Sequence, residues 1–251
     1  MLGFNGGYIM NTIKIDKKGV KMIAHRGLSG IERENTYPAF IAAANRSYFG
    51  IECDIYKTAD GEFVVIHDKT TERISGGKYN IDVEKSSFET FKDIVLPDLD
   101  GKTERKDIKI PLLIDYIKIC KKYEKVCVIE IKNSFSKSDL AKVVEIIKSE
   151  EYLNQVIFIS FDFNNCLYLR EIGEDINIQW LVGKDVTDKH IETMKLKNIN
   201  ADVYYPALTK EIVDYLHGLG LKINSWTCDN KADAERLIEM GVDYITTNIL
   251  E

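Results

Sequence analysis

At 251 residues, 45% hydrophobic and 29% charged, the chain has an ordinary globular composition and enough length for one large core. Its net charge of −6 argues against a nucleic-acid partner, which would select a basic face. No apolar run approaches the ~20 residues of a membrane-spanning helix, and MLGFNGGYIMNTIKIDKKG lacks the basic-then-apolar order of a secretory leader.

Residues 1–19 read as an N-terminal extension, with Met1 and Met10 both open as the start. From residue 20 two textures alternate. VKMIAH reads as a strand, PAFIAAANRSYF as a helix and GIECDI as a second strand. After the turn TADG, EFVVIH reads as the returning arm of a hairpin, antiparallel to GIECDI. Residues 69–110 are polar and glycine-containing, too long for an ordinary connection, and are expected to form an insertion over one end of the fold. Beyond them come the helix IPLLIDYIKICKKY, the strand KVCVIEI and the helix DLAKVVEIIKSEEYL, the last capped by Ser138 or Asp139. The strands QVIFIS, INIQWLV and ADVYY follow. Then comes the helix KEIVDYLHGLG, capped by Thr209 and ending at Gly218 or Gly220, and last the strands LKINSWT and VDYITT. Setting the hairpin arm aside leaves eight strands of βα type. That number predicts an α/β fold closed as a (β/α)8 TIM barrel over residues 20–251, with a small insertion after the second strand region. A doubly wound open sheet is the alternative, but no G-x-G-x-x-G follows the first strand.

Five scattered cysteines, Cys53, Cys120, Cys127, Cys166 and Cys228, form no C-x-x-C pair. They suggest a reducing, cytoplasmic setting and no zinc ribbon. Cys53 lies between Glu52 and Asp54, so it faces away from them, into the layer between barrel and helices.

Barrel enzymes work at the carboxyl ends of their strands. His25 and Arg26 fall there after the first strand, Glu52 and Asp54 late in the second, and His67 and Asp68 at the end of the hairpin arm. Glu130 and Lys132 end the KVCVIEIK segment, Ser160 ends QVIFIS, Trp226 ends LKINSW, and Thr246, Thr247 and Asn248 close the last strand. Each charge taken singly is explained as solvated surface or a structural ion pair. Three carboxylates at one mouth, however, repel unless they share a proton or bind a cation. An all-oxygen set points to a hard ion, Mg²⁺ or Ca²⁺. Arg26 and Lys132 suit an anionic substrate, and two histidines suit general acid and base work near neutral pH. Phosphoryl transfer fits this set. Glycoside hydrolysis by a carboxylate pair would need neither the histidines nor the cations.

The segments AHRG (24–27), ENT (34–36), ECD (52–54), VIHD (65–68), EIK (130–132), SF (160–161) and SWT (225–227) resemble the glycerophosphodiester phosphodiesterase family, in order over roughly residues 20–248. The resemblance implies hydrolysis of a small glycerophosphodiester to glycerol 3-phosphate and an alcohol. By similarity, His25 and His67 would be the acid/base pair, and Glu52, Asp54 and Glu130 would hold one divalent cation. Arg26 and Lys132 would contact phosphate, and Trp226 would line the alcohol side. Two departures stand out. Arg33 occupies the place of a usual proline before ENT, which puts the rigidity of that loop in question. Thr247-Asn248-Ile249-Leu250 replaces a Thr-Asp-x-Pro-like segment and loses a carboxylate. Glu34 is explained equally by orienting a site residue or by a helix dipole, and Asp68 by orienting His67 or by packing under the insertion. The nearest rival is a lysophospholipase D or sphingomyelinase D-like enzyme, which would need an apolar lip. A catalytically silent barrel that binds a phosphorylated ligand is the rival from another class.

Overall fold

Strand β4 (Val126–Ile131) carries the organising pattern. Successive side chains leave a strand on opposite faces, so Val126, Val128 and Glu130 share one side and Cys127, Ile129 and Ile131 the other. In the computed structural model, which describes residues 11–251, Val126 and Val128 pack with Ile23, Ile157, Ile159, Leu181 and Tyr244 inside the barrel. Cys127, Ile129 and Ile131 join the larger core beneath the helices. Glu130 is the third inward position and stands at the strand's carboxyl end.

The same alternation runs around β1 (Lys21–Ala24), β2 (Gly50–Lys57), β5 (Val156–Ser160), β6 (Asn177–Val182), β7 (Asn200–Tyr204), β8 (Ile223–Trp226) and β9 (Tyr244–Thr247). With β4 these eight strands are parallel neighbours. Pairing of β1 with both β2 (Ala24↔Ile51) and β9 (Ala24↔Thr247) closes the ring. The result is the expected (β/α)8 barrel, plugged at its lower end by apolar side chains and lined by polar ones toward the top. Cys53 lies in the outer layer with Tyr116 and Cys120, and among the described residues all five cysteines are free and buried.

Helices α1 (Tyr37–Ala44), α2 (Leu113–Lys122), α3 (Lys137–Ser149), α4 (Phe163–Ile172), α5 (Asp188–Lys197), α6 (Lys210–Gly218) and α7 (Lys231–Met240) cover the barrel. In α7, Ala234, Leu237 and Ile238 at helical spacing face the core. Its N-terminus is closed by Asn230, whose side chain accepts from the amides of Ala232 and Asp233, and its C-terminus by Gly241 at φ +87°. Thr209 caps α6 as expected. The cap of α3 is Ser136, not Ser138 or Asp139: its hydroxyl accepts from the Asp139 amide at 3.1 Å, so the helix starts two residues earlier. Helix α1 stops at Ala44, short of the expected Phe49, because Asn45 turns its side chain back onto the Ile41 carbonyl.

Strand β3 (Phe63–Val65) pairs antiparallel with the far end of β2 (Ile55↔Val65, Lys57↔Phe63), through the TADG turn with Gly61 at φ +90°. The ladder covers only three residues, leaving His67 just beyond it. Against this spur, Ile74, Val83, Phe91, Leu96, Ile108 and Ile110 bury themselves with Tyr56, Val64 and Ile66 in a small separate core. Residues 11–19 run beside the last residues: Ile13 bridges Leu250, and the Ile15 amide donates to the Glu251 carbonyl at 2.9 Å. Met1 and Met10 lie outside the described residues. No helix among those described is long and apolar enough to cross a membrane.

Candidate active site

The inward, carboxyl-end positions of β2 and β4 bring Glu52, Asp54 and Glu130 together. Their registers align directly, with Asp54 opposite Glu130, and one oxygen from each of the three lies within 4.8 Å of the others. All three are buried. Burial and the neighbouring charges of Asp54 and Glu130 push Glu52 well above the usual carboxylate range. Burial and Asp54 push Glu130 up to about 7. Asp54 moves the other way: burial opposes its ionisation, but the Lys132 and Arg26 charges outweigh that and hold it low. The Lys132 ammonium stands 2.8 Å from Glu130 Oε1 and 3.3 Å from Asp54 Oδ1.

Glu52 Oε1 is buried with no hydrogen-bond partner among the described residues, and Asp54 Oδ1, equally buried, has the Lys132 ammonium at 3.3 Å but no well-directed hydrogen bond. Unsatisfied buried carboxylate oxygens, facing a third carboxyl across a few ångströms, are what a hard cation would satisfy. The residues present therefore fit a metal site of oxygen ligands.

The remaining groups arrive from loops just past the strand ends. After β1 the chain turns through Arg26 at φ +56° and Gly27 at φ +74°. This left-handed pair sends the Arg26 amide onto Glu52 Oε2 (2.6 Å) and the Gly27 amide onto the Glu52 carbonyl (3.1 Å). A Cβ on Gly27 would stand 2.6 Å from the Ala39 carbonyl carbon, so only glycine lets the turn close against α1. Arg26 extends Nε toward Asp54 Oδ2 (3.3 Å) and Nη1 to Glu34 Oε1 (3.0 Å). Despite burial, those carboxylates raise its affinity for its proton.

The two histidines are oriented by different partners. His25 places Nδ1 2.8 Å from Asn248 Oδ1 and Nε2 4.0 Å from Glu52 Oε2. Burial, and secondarily Arg26, lower its pKa to about 4. His67 places Nδ1 2.6 Å from Asp68 Oδ1. Burial lowers it as well, against the opposing field of Asp54. Asp68 thus orients His67, and Glu34 bridges arginines.

A cavity of about 100 Å³ is lined by His25, Arg26, Glu52, His67, Glu130, Lys132 and Trp226, together with Phe161 and Asp202. Asp54 lies just beneath the lining as a ligand candidate. Trp226 packs edge-on against Phe161, ring centroids 5.4 Å apart, and the half-exposed Phe161 forms the rim. Ser160 is structural: its hydroxyl donates to the Ile131 carbonyl at 2.9 Å and it lies outside the cavity.

Further residues join the site with little signal in the sequence. Asn35 at φ +56° donates from Nδ2 to Asp54 Oδ2 at 2.7 Å, fixing that carboxylate. Asp202 is an inward position of β7, fully buried, with neither oxygen hydrogen-bonded among the described residues; burial pushes its pKa up to about 8. A carboxylate alternating with Ala201 and Val203 was the available signal. Arg73, from the insertion, reaches both Glu34 and Asp68. Arg33, where a stiffening proline was expected, ties its loop to the insertion by donating from Nη2 to the Ile74 carbonyl at 2.8 Å.

Residues 25–251 match the model of the glycerophosphoryl diester phosphodiesterase family. A glycerophosphodiester phosphodiesterase of Caldanaerobacter subterraneus subsp. tengcongensis is 29% identical over 231 residues, spanning 90% of this chain and 93% of that protein. A crystal structure of a Parabacteroides distasonis glycerophosphodiester phosphodiesterase superposes with a TM-score of 0.76 at 26% identity, covering 92% of this chain and 93% of that one. An Oleispira antarctica phosphodiesterase, solved with the product sn-glycerol-3-phosphate, superposes with a TM-score of 0.81 at 21% identity, covering 91% and 92%. Family match, barrel and site agree, and the chain belongs to the glycerophosphoryl diester phosphodiesterase family, a family of phosphoric diester hydrolases.

Proposed function

We propose that the chain hydrolyses water-soluble glycerophosphodiesters to glycerol 3-phosphate and a free alcohol. On this reading Glu52, Asp54 and Glu130 hold one divalent cation, Mg²⁺ or Ca²⁺, and His25 and His67 exchange the protons. The observation that carries it is the convergence of two imidazoles, two cationic side chains and the carboxylates of Glu52 and Glu130 on one cavity, with an Asp54 oxygen within 4.8 Å of theirs. The product in the Oleispira relative, sn-glycerol-3-phosphate, supports the same substrate class.

Arg26 and Lys132 meet the phosphoryl oxygens of the substrate, Arg26 held in place by Glu34 and Lys132 by Glu130. When bound, the divalent cation adds positive charge at those oxygens as negative charge develops on them. His25, whose Nδ1 faces a neutral amide, has Nε2 toward the cavity and takes the proton of the attacking hydroxyl, whether glycerol's own 2-hydroxyl or a water. His67, whose Nδ1 faces the Asp68 carboxylate, is better supported as an imidazolium and gives its proton to the departing alkoxide as the P–O bond breaks. If the 2-hydroxyl attacks, a water opens the cyclic phosphate with the two histidines in exchanged roles. The Trp226–Phe161 rim faces the alcohol side.

A lipid-tailed substrate would need an apolar lip. In the insertion, Ile74, Val83, Leu96, Ile108 and Ile110 instead turn into their own core and Leu99 alone is an exposed large aliphatic side chain, which favours the soluble class. Product analysis with glycerophosphocholine and lysophosphatidylcholine in parallel tests this. Release of choline and glycerol 3-phosphate from the first is expected, and turnover of the lipid alone contradicts the proposal.

A further inference from the structure

The loop after β8 places Asp229 beside the end of β9, and the two strand ends are linked through one carboxylate. Asp229 Oδ1 accepts from the Asn248 amide (2.7 Å) and from Thr247 Oγ1 (2.9 Å), and Oδ2 accepts from Asn248 Nδ2 (2.6 Å). An ionised carboxylate has only acceptors, so the Asn248 side chain must turn its NH₂ toward Asp229. The reverse orientation would press Asn248 Oδ1 against a carboxylate oxygen. Oδ1 is thereby forced to the opposite side, where Ser29 Oγ (2.6 Å) and His25 Nδ1 (2.8 Å) meet it. An amide oxygen accepts and never donates, so His25 must carry its proton on Nδ1.

We propose that Asn248, locked by Asp229, is a positioning residue that fixes His25 as the Nδ1–H tautomer, with the Nε2 lone pair turned to the cavity. The one Ser29 hydroxyl proton is shared between Asn248 Oδ1 (2.6 Å) and the His25 carbonyl (2.8 Å), so the same hydroxyl lies against both the ring's partner and the ring's own backbone. The polarity of the pair is what matters. A carboxylate at 248 alone would face that of Asp229 at hydrogen-bond distance, with like charges in contact. An amide at 229 alone would release Asn248 to flip and donate to His25, which favours the wrong tautomer. Exchanging both restores a donor–acceptor pair of opposite polarity and leaves an acceptor facing His25 Nδ1.

The proposal rests on the assignment of His25 to the chemistry, and its test has an arm that does not need activity. Nitrogen-15 NMR of histidine-labelled wild-type protein, at about pH 8, reads the tautomer directly. The expected spectrum has Nδ1 protonated and Nε2 bare at His25, and a protonated Nε2 overturns the proposal whatever the enzyme does. The kinetic arm uses Asn248→Asp, Asp229→Asn and the double exchange, each checked for folding by its thermal melt. Each single variant is expected to lose about 10–100-fold in kcat with KM little changed, the range for groups that orient a reacting side chain. The double exchange is expected to recover most of that loss and the wild-type tautomer. Singles with wild-type kcat, or a double variant showing the summed loss of both, overturn the proposal. A wild-type spectrum as expected in a protein that cleaves no glycerophosphodiester supports the positioning and refutes the proposed activity instead.

Discussion

Arg73 forks onto Glu34, Nη1 to Oε2 at 2.9 Å and Nη2 to Oε1 at 2.8 Å. Its Nε donates to Asp68 as well. One guanidinium from the insertion therefore braces both the carboxylate that holds Arg26 and the carboxylate that holds His67. A bidentate pair is geometric as well as electrostatic, and lysine cannot reproduce it. Arg73→Ala is expected to lower kcat/KM by about 10–100-fold, with Arg73→Lys recovering only part. Because Arg73 is half exposed, the thermal midpoint should move little. Steady-state kinetics beside a melt check both statements.

On the proposed assignment, loss of either imidazole removes a proton-transfer group. His25→Ala and His67→Ala are each expected to reduce turnover by about 10²–10⁴-fold in a folded protein. Wild-type rates in both would end the acid/base assignment.

The carboxylate cluster makes a prediction about binding that does not depend on turnover. Added Mg²⁺ or Ca²⁺ should raise the thermal midpoint of the wild type, since a ligand of the native state alone stabilises it by mass action. Glu130→Gln should fold and lose that rise. Asp54→Ala should cost about 1.5–3 kcal/mol as well, because the largely buried Arg26 and Lys132 charges each lose one of their carboxylate partners while keeping Glu34 and Glu130. Differential scanning fluorimetry across a cation titration reads both effects.

Asp202 predicts a pH dependence of stability. Burial raises its folded pKa to about 8, while the unfolded carboxyl titrates near ~3.9. Between those values the folded state keeps a proton that the unfolded state has released, so this residue makes the protein less stable as pH rises. Asp202→Asn removes that dependence. Its stability advantage over wild type should therefore widen from about pH 4 to about pH 8, by at most ~1.4 kcal/mol per unit, and then level off. Urea unfolding at a series of pH values measures the gap, and a constant gap would contradict it.

What was legible in the sequence follows from periodicity. Strands such as VCVIEI alternate cleanly, so eight of them and the hairpin arm could be counted, and the carboxyl-end rule drew attention to His25, Glu52, Asp54, His67, Glu130 and Lys132. Groups that support them were harder to see because no short spacing announces them. Arg73 lies in an aperiodic insertion, 39 residues from Glu34, and Asp229 is 19 residues from Asn248. Asn35 was inside a motif yet carried no sign of its backbone-turn geometry. Thr209 and Gly218 bound α6 as expected, whereas the start of α3 and the end of α1 differed for a local reason: Ser136 and Asn45 make side-chain bonds that override the apolar pattern.

The central claim is that a buried carboxylate site and two imidazoles together cleave a glycerophosphodiester. It is tested most directly by phosphorus NMR of glycerophosphocholine incubated with the protein after exhaustive chelation, and again after Mg²⁺ or Ca²⁺ is restored. The account predicts that glycerol 3-phosphate appears only in the restored sample and in neither sample of Glu130→Gln. Glycerol 3-phosphate formed at an undiminished rate in the chelated sample would contradict it.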